Sequence, residues 1–347
     1  MISKRLLCIL FIGTLTVNAQ YTDQINSNRP GASIGAFAVG KNVVQAETGF
    51  AFRNFSHSGY NNSTFNGMFG FLSVRWGFLS ERLELTLNSM YLNGNLNSKI
   101  SSIPQITPKR GFMENFAGLK FLFYDPFKKE RDINVYSWKA NNGFKLRELV
   151  PAVSLTLGAN YNQKNSPFPY NNVFGGIYRP LLFQNLGIPP DQEPDFHLRG
   201  TLATQSHFLG TWVFVTNFNY DRYLSDYPEM SYLLTLTHTL NPYWSVYIEN
   251  QGIKSDLFQD ILYRFGAAYL YSDNIQIEAT IGASSKNTPS LLLANIGLSY
   301  RLDFHKEYVS AEEVERKSLK AEEKKLKKTL KQNSQTERKR NRKAKRN

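Results

Sequence analysis

Cysteine is nearly absent from this 347-residue chain, charged residues make up only 20% of it, and long apolar runs are missing beyond its first twenty residues. Each shortage excludes something. The single cysteine, Cys8, lies in an amino-terminal stretch in which Lys4 and Arg5 precede the apolar run Leu6–Val17. Val17-Asn18-Ala19 then sets small side chains where a signal peptidase would cut, before Gln20. Cys8 falls too early in that run to serve as a lipoprotein cysteine. Without residues 1–19 the chain has no disulfide, no thiolate nucleophile and no cysteine ligand for a metal. Past residue 20, Asn, Thr, Gly or charge interrupts every apolar stretch well short of the ~20 residues that a membrane-spanning helix needs. A secreted soluble β-protein and an outer-membrane β-barrel both fit these exclusions.

Catalytic patterns are missing too. His57, His197, His207, His238 and His305 are scattered, with no His-x-x-x-His pair, no Gly-x-Ser-x-Gly elbow and no phosphate loop. We therefore expect no enzyme, no catalytic residue, no metal site and no cofactor.

What the chain does have is aromatic and alternating. It holds 25 Phe, 19 Tyr, 4 Trp and 23 Gly. Ile275, Ile277, Ala279 and Ile281 oppose Gln276, Glu278 and Thr280. Leu83, Leu85 and Leu87 oppose Glu84, Thr86 and Asn88. Trp244, Val246 and Ile248 oppose Ser245, Tyr247 and Glu249. This two-residue period predicts strands near 43–55, 64–77, 82–92, 113–123, 150–162, 197–207, 211–221, 230–240, 243–252, 260–271, 274–283 and 290–303. Most are long for soluble strands but suited to crossing a hydrocarbon layer at a tilt. Short turns follow the even-numbered strands, and longer polar loops (56–63, 93–112, 163–196, 222–229, 253–259 and 284–289) follow the odd-numbered ones. That alternation is the signature of an all-β, antiparallel transmembrane barrel of about twelve strands in the outer membrane, with both termini in the periplasm. Residues 124–149 break it: they are an enlarged periplasmic connection, or a concealed hairpin that would raise the count to fourteen.

The formal net charge of +13 sits largely outside the barrel. Residues 305–347 carry 11 Lys and 5 Arg against 7 Glu, whereas residues 20–304 carry 23 basic against 21 acidic side chains. The chain thus divides into a signal peptide (1–19), a periplasmic or plug segment (20–42), a barrel (43–304) and a basic helical and disordered tail (305–347). The tail starts with a capped turn at Ser310-Ala311-Glu312-Glu313 and ends in Lys339, Arg340, Arg342, Lys343, Lys345 and Arg346. Such a run commonly meets nucleic acid, which a secreted chain does not. The expected partner is instead an anionic periplasmic protein or cell-wall polymer, in addition to the outer-membrane lipid around the barrel.

Glu47, Arg53, Glu84, Glu114, Lys120, Glu249, Arg264, Glu278 and Arg301 occupy polar-face positions of separate strands. On the lipid face each would cost a few kcal/mol, so they are expected to line the lumen. There they would form a closed polar core or select a small solute. Arg264 and Glu278, on neighbouring strands, are a candidate pair. Residues 23–37, with Arg29 and Pro30, form either a plug entering from the periplasm or a loose leader. Ile34, Phe37 and Val39 favour the plug.

Ser27-Asn28-Arg29-Pro30, followed by Val44-Gln45-Ala46-Glu47-Thr48-Gly49-Phe50, resembles the opening of the outer-membrane transporter family named after the meta pathway of phenol degradation. Asp273-Asn274-Ile275-Gln276-Ile277-Glu278-Ala279 and Gly297-Leu298-Ser299-Tyr300-Arg301 are similar to its last two strands. The likeness runs over about residues 26–303 and implies a channel or transporter for small, often apolar compounds. The 124–149 connection and the basic tail depart from the family pattern, and the Asn and Tyr content looks like that of a Bacteroidota protein. Those departures favour a second role, a non-conducting anchor or scaffold for a secretion or gliding machine.

Overall fold

The computed structural model describes residues 24–28, 31–58, 62–99, 104–128, 145–161, 195–223, 225, 228–255 and 259–304. Residues 1–19, Arg29, Pro30 and the tail from 305 onward, with its six candidate binding residues, lie outside them.

Twelve antiparallel strands close on themselves: β1 (Val43–His57), β2 (Ser63–Gly77), β3 (Leu83–Ser98), β4 (Gln105–Tyr124), β5 (Ala152–Tyr161), β6 (Phe196–Phe208), β7 (Trp212–Tyr223), β8 (Glu229–Thr239), β9 (Trp244–Ser255), β10 (Gln259–Ser272), β11 (Ile275–Ser284) and β12 (Ser290–Asp303). Each pairs with its sequence neighbours, and β12 returns to β1 in unbroken register from Val43 opposite Asp303 to Ser56 opposite Ser290. The 124–149 connection contributes two short 3-10 turns, Pro126–Lys128 and Leu146–Leu149, at its ends.

The strands at the loop end run further than alternation alone indicated. β3 and β4 pair as far as Ser98 opposite Gln105, converting most of the expected 93–112 loop into a hairpin. Asn93-Gly94-Asn95 reads as a turn, but Leu92, Gly94, Leu96 and Ser98 keep the inward parity while the asparagines face out. A β-bulge beside Met90 and Tyr91 lets β4 follow.

Outward positions are apolar on every wall: Phe50, Phe52, Leu72, Leu119, Leu157, Phe214, Phe218, Ile248, Phe265, Ile281 and Ile296 are all exposed. Aromatic clusters mark both rims. At the turn end Trp76 meets Phe78, Trp212 stacks on His238, and Trp244 packs on Tyr269. At the loop end Tyr91 meets Phe112 and Tyr161 meets Phe196. An apolar band between two aromatic girdles is what a barrel shows to lipid, with ring edges at the two headgroup layers.

The interior corrects one expectation. A polar inner face holds for the turn half. In the loop half Ala51, Phe55, Phe65, Phe69, Leu92, Leu96, Met113, Ile253, Leu262, Leu291 and Leu293 point inward and form one buried apolar cluster. Rings there interlock, Phe55 and Phe65 edge to face at 6.5 Å between centroids. These residues keep the inward parity that carries charge lower down the same strands. Reading one face of each strand as uniformly polar missed the change of chemistry along the barrel axis.

Closure generates the first prediction. Without Ser290–Phe304, β1 and β11 would expose unpaired N–H and C=O groups to hydrocarbon, each costing several kcal/mol. Deleting that segment should abolish the heat-modifiable gel mobility of a folded barrel. Normal mobility would contradict the closure.

Candidate functional site: a charged lumen wrapped around the amino-terminal segment

Residues 24–28 and 31–42 lie inside the turn half of the barrel. They have no strand or helix of their own, so their backbone groups need other partners. The wall supplies them through side chains. Asn28 N donates to Glu47 Oε1 at 3.1 Å, and Ala32 N and Ser33 N both donate to Glu249 Oε2 at 3.0 and 3.1 Å. The Asn217 amide clasps Ile34 in both directions, accepting from its N–H at 2.6 Å and donating to its carbonyl at 2.7 Å. Ala36 N donates to Gln205 Oε1 and Val39 N to Glu84 Oε2. Carbonyls are met by cations: Asn26 and Phe37 accept from Arg75, Gly35 and Phe37 from Lys120, and Gln24 from Arg301. Near the ends of the segment backbone pairs with backbone, Ile25 N with Asp273 O, Asn42 N with Gly77 O and Phe304 N with Asn42 O.

The close approach depends on a glycine. A β-carbon on Gly31 would stand 2.4 Å from Glu249 Oε2, far inside van der Waals contact. Apolar side chains of the segment complete the fit. Ala36 is fully buried with Leu122 and Ala152, and Phe37 packs beside them, against Phe127 and His207.

The ionisable residues gather into three groups. Arg75 is the centre of the first: its guanidinium holds Glu84 through two bonds of 2.8 and 3.0 Å and lies 3.8 Å from Glu47. Lys120, opposite Glu84 across the β3–β4 ladder, adds a 3.2 Å contact to the same carboxylate. All four are essentially without solvent contact, and two cations face two anions, which is the condition for burying charge at tolerable cost. The second group pairs Arg264 with Glu249, directly opposite in the β9–β10 ladder. Gln251 and Thr235 add further bonds. The third joins Arg199 to Glu114 at 2.8 Å and Asp221 at 2.9 Å, with His197 3.4 Å from Asp221.

Of the residues singled out in the sequence, Glu47, Glu84 and Lys120 thus meet around Arg75, and Glu249 meets Arg264. Glu114 stands apart with Arg199. Arg53 sits higher, bonded to Asn295 and over the Phe69 ring. Arg301 is at the turn end beside Asp303. Glu278 is buried against Gly297, where a β-carbon would come within 2.3 Å of it. Arg264 faces Gly282 on β11, whereas Glu278 faces Ala268, so the ladder gives Arg264 to Glu249 instead of the expected Glu278. Arg75, Arg199, Asp221, Gln205 and Asn217 were missed. Their inward parity was legible, but nothing local marks Asn217 or Gln205 as a partner for a segment nearly two hundred residues away. Among the described residues, no group of three or more His, Cys, Asp or Glu is placed to hold a metal ion.

A double-mutant cycle tests the second group. Arg264→Leu or Glu249→Leu alone leaves a buried charge uncompensated and should cost about 3–5 kcal/mol, while the double variant should cost clearly less than the sum. Urea unfolding in lipid vesicles reads the coupling; additive losses would contradict the pairing.

Several solved structures are similar to this chain at low identity. An outer membrane channel from Pseudomonas putida F1 has 13% identity and a TM-score of 0.48, covering 79% of this chain and 99% of its own. The translocator domain of the autotransporter NalP from Neisseria meningitidis has 8% identity and a TM-score of 0.44, covering 86% and 94%. A monoaromatic hydrocarbon channel, CymD, has 8% identity and a TM-score of 0.37, covering 77% and 90%. No curated protein matches the sequence. The architecture is that of an outer-membrane barrel. Over residues 187–302 the chain matches the family model described as "Putative MetA-pathway of phenol degradation", the family that its opening and closing strands resemble.

Proposed function

We propose that the protein is an outer-membrane transporter for small apolar compounds, in which residues 24–42 act as a removable plug. The observation that carries this reading is how the segment is held. Side chains of the wall bind it, and no strand pairing secures it between its ends. Most of these bonds have a charged partner and contribute about 1.5–3 kcal/mol each, the Asn217 and Gln205 bonds about 1 kcal/mol, and none belongs to the sheet, so the segment can leave without opening the wall. The wall charges that would remain are already neutralised by one another, Arg75 and Lys120 by Glu84 and Glu47. They stay in place as the barrel's own polar frame.

The apolar loop half supports the solute class. On one wall of the loop half Phe55, Phe65, Phe69, Leu92 and Met113 form an apolar lining, while the charges of the facing wall, Arg199, Glu114 and Asp221, neutralise one another. An apolar or aromatic compound can replace ring-to-ring packing there at little cost, while a hydrated ion would lose its water. The matched family and the hydrocarbon channel among the similar structures agree with that class. β1 starts and β12 finishes at the turn end, so in this reading that end faces the periplasm and the loops face outward, and the basic residues Lys339, Arg340, Arg342, Lys343, Lys345 and Arg346 belong to a periplasmic segment.

Deleting residues 24–40 should leave the barrel heat-modifiable and raise the entry of a small aromatic compound, toluene, into proteoliposomes several-fold over the intact chain. Gly31→Val, which forces the segment off Glu249, should act in the same direction with the full chain present. A folded deletion variant as impermeable as the intact protein would refute the transporter reading.

A further inference from the structure

The lipid-facing wall carries a groove that neither the lumen nor its plug uses. It has a volume of about 820 Å³ and crosses the outer surface from β6 to β10. Its floor follows one row of directly opposed residues: Leu202 faces Phe218, Phe218 faces Tyr232, Tyr232 faces Gly252, and Gly252 faces Ile261. The next row toward the loops runs Gly200, Tyr220, Met230, Lys254 and Gln259, again partner to partner. The row therefore begins at a residue without a side chain and carries a cation, Lys254, next to its far end. A second cation closes the same corner, where Lys286 Nζ donates to the Gln259 carbonyl. Lys254 is exposed and Lys286 half-buried, and the acidic residue that lines the same corner, Asp260, is buried with inward parity.

Lys254 has the outward parity of Ile248 and would cost a few kcal/mol in hydrocarbon. It stands at the end of β9, level with the headgroups, with an apolar trough below it. We infer that this groove binds one molecule of the bis-phosphorylated, multiply acylated glycolipid of the outer leaflet, with acyl chains along the Leu202–Ile261 row and phosphates on Lys254 and Lys286. Three features select that occupant. The floor is almost wholly apolar, as acyl chains require. At the usual spacing of about 4.8 Å the five strands span about 19 Å, room for several chains side by side. Two cations at one corner match two phosphates, which a charge-assisted bond holds far more strongly than a neutral headgroup. The assignment rests on the orientation proposed above, loops outward, and is independent of whether the lumen conducts.

The test is native mass spectrometry of the full-length barrel in detergent, after adding lipid A, monophosphoryl lipid A or dioleoyl phosphatidylglycerol. One lipid A should stay bound at collision energies that strip the other two. Lys254→Gln with Lys286→Gln should lower its retention about tenfold, two charge-assisted contacts being lost. Gly200→Leu should lower it comparably while keeping both lysines. A β-carbon at Gly200 meets only Leu157 Cδ2, at 3.4 Å, so the larger side chain folds and fills the trough. Heat-modifiable mobility verifies each variant. Equal retention of all three lipids, or unchanged retention of lipid A by the lysine variant or by Gly200→Leu, would overturn the assignment. Failure of toluene entry would leave it standing and refute the transporter alone.

Discussion

Hydrocarbon offers no hydrogen bonds, and this structure is arranged around that deficit. The twelve-strand wall answers it by pairing every strand with two neighbours, including β12 with β1, so no edge faces lipid. The same rule governs the inside. Residues 24–28 and 31–42 lie within the wall and bring a row of backbone N–H and C=O groups with no ladder to join. Glu47, Glu84, Gln205, Asn217 and Glu249 accept from that backbone, and Arg75, Lys120 and Arg301 donate to it. The inner charges serve this segment and one another at once.

That dual service explains their grouping. A buried carboxylate costs several kcal/mol unless matched, and Glu84 is matched by a forked Arg75 contact and by Lys120 before it touches Val39. Glu249 is likewise tied to Arg264 and Thr235 before it receives Ala32 and Ser33. The frame stays neutral with the segment present or gone, so the segment can move without stranding a charge.

Above the frame one part of the interior turns apolar, beside the Arg199, Glu114 and Asp221 group, and the outer surface carries its own apolar trough bounded by Lys254 and Lys286. Polar groups hold the peptide in the turn half, and in the loop half the charges that remain, Arg199 with Glu114 and Asp221 and Arg53 with Asn295, are matched within the wall.

Much of this was legible beforehand. Alternation such as Ile275, Ile277, Ala279 and Ile281 against Gln276, Glu278 and Thr280 set strand positions and parity, because a strand's two faces meet different solvents. Charge at Glu47, Glu84, Lys120, Glu249 and Arg264 cannot face lipid at tolerable cost, and these side chains are buried. The apolar loop half was not legible, since Phe65 and Phe69 share parity with Arg75 and only height along the axis separates them. Nor were the partners of the plug. Parity says which side of the wall a residue faces, but which residue it meets across the lumen depends on closure, shear and the path of residues 24–42. A sequence records local periodicity; distances between strands far apart in the chain exist only once the barrel has closed.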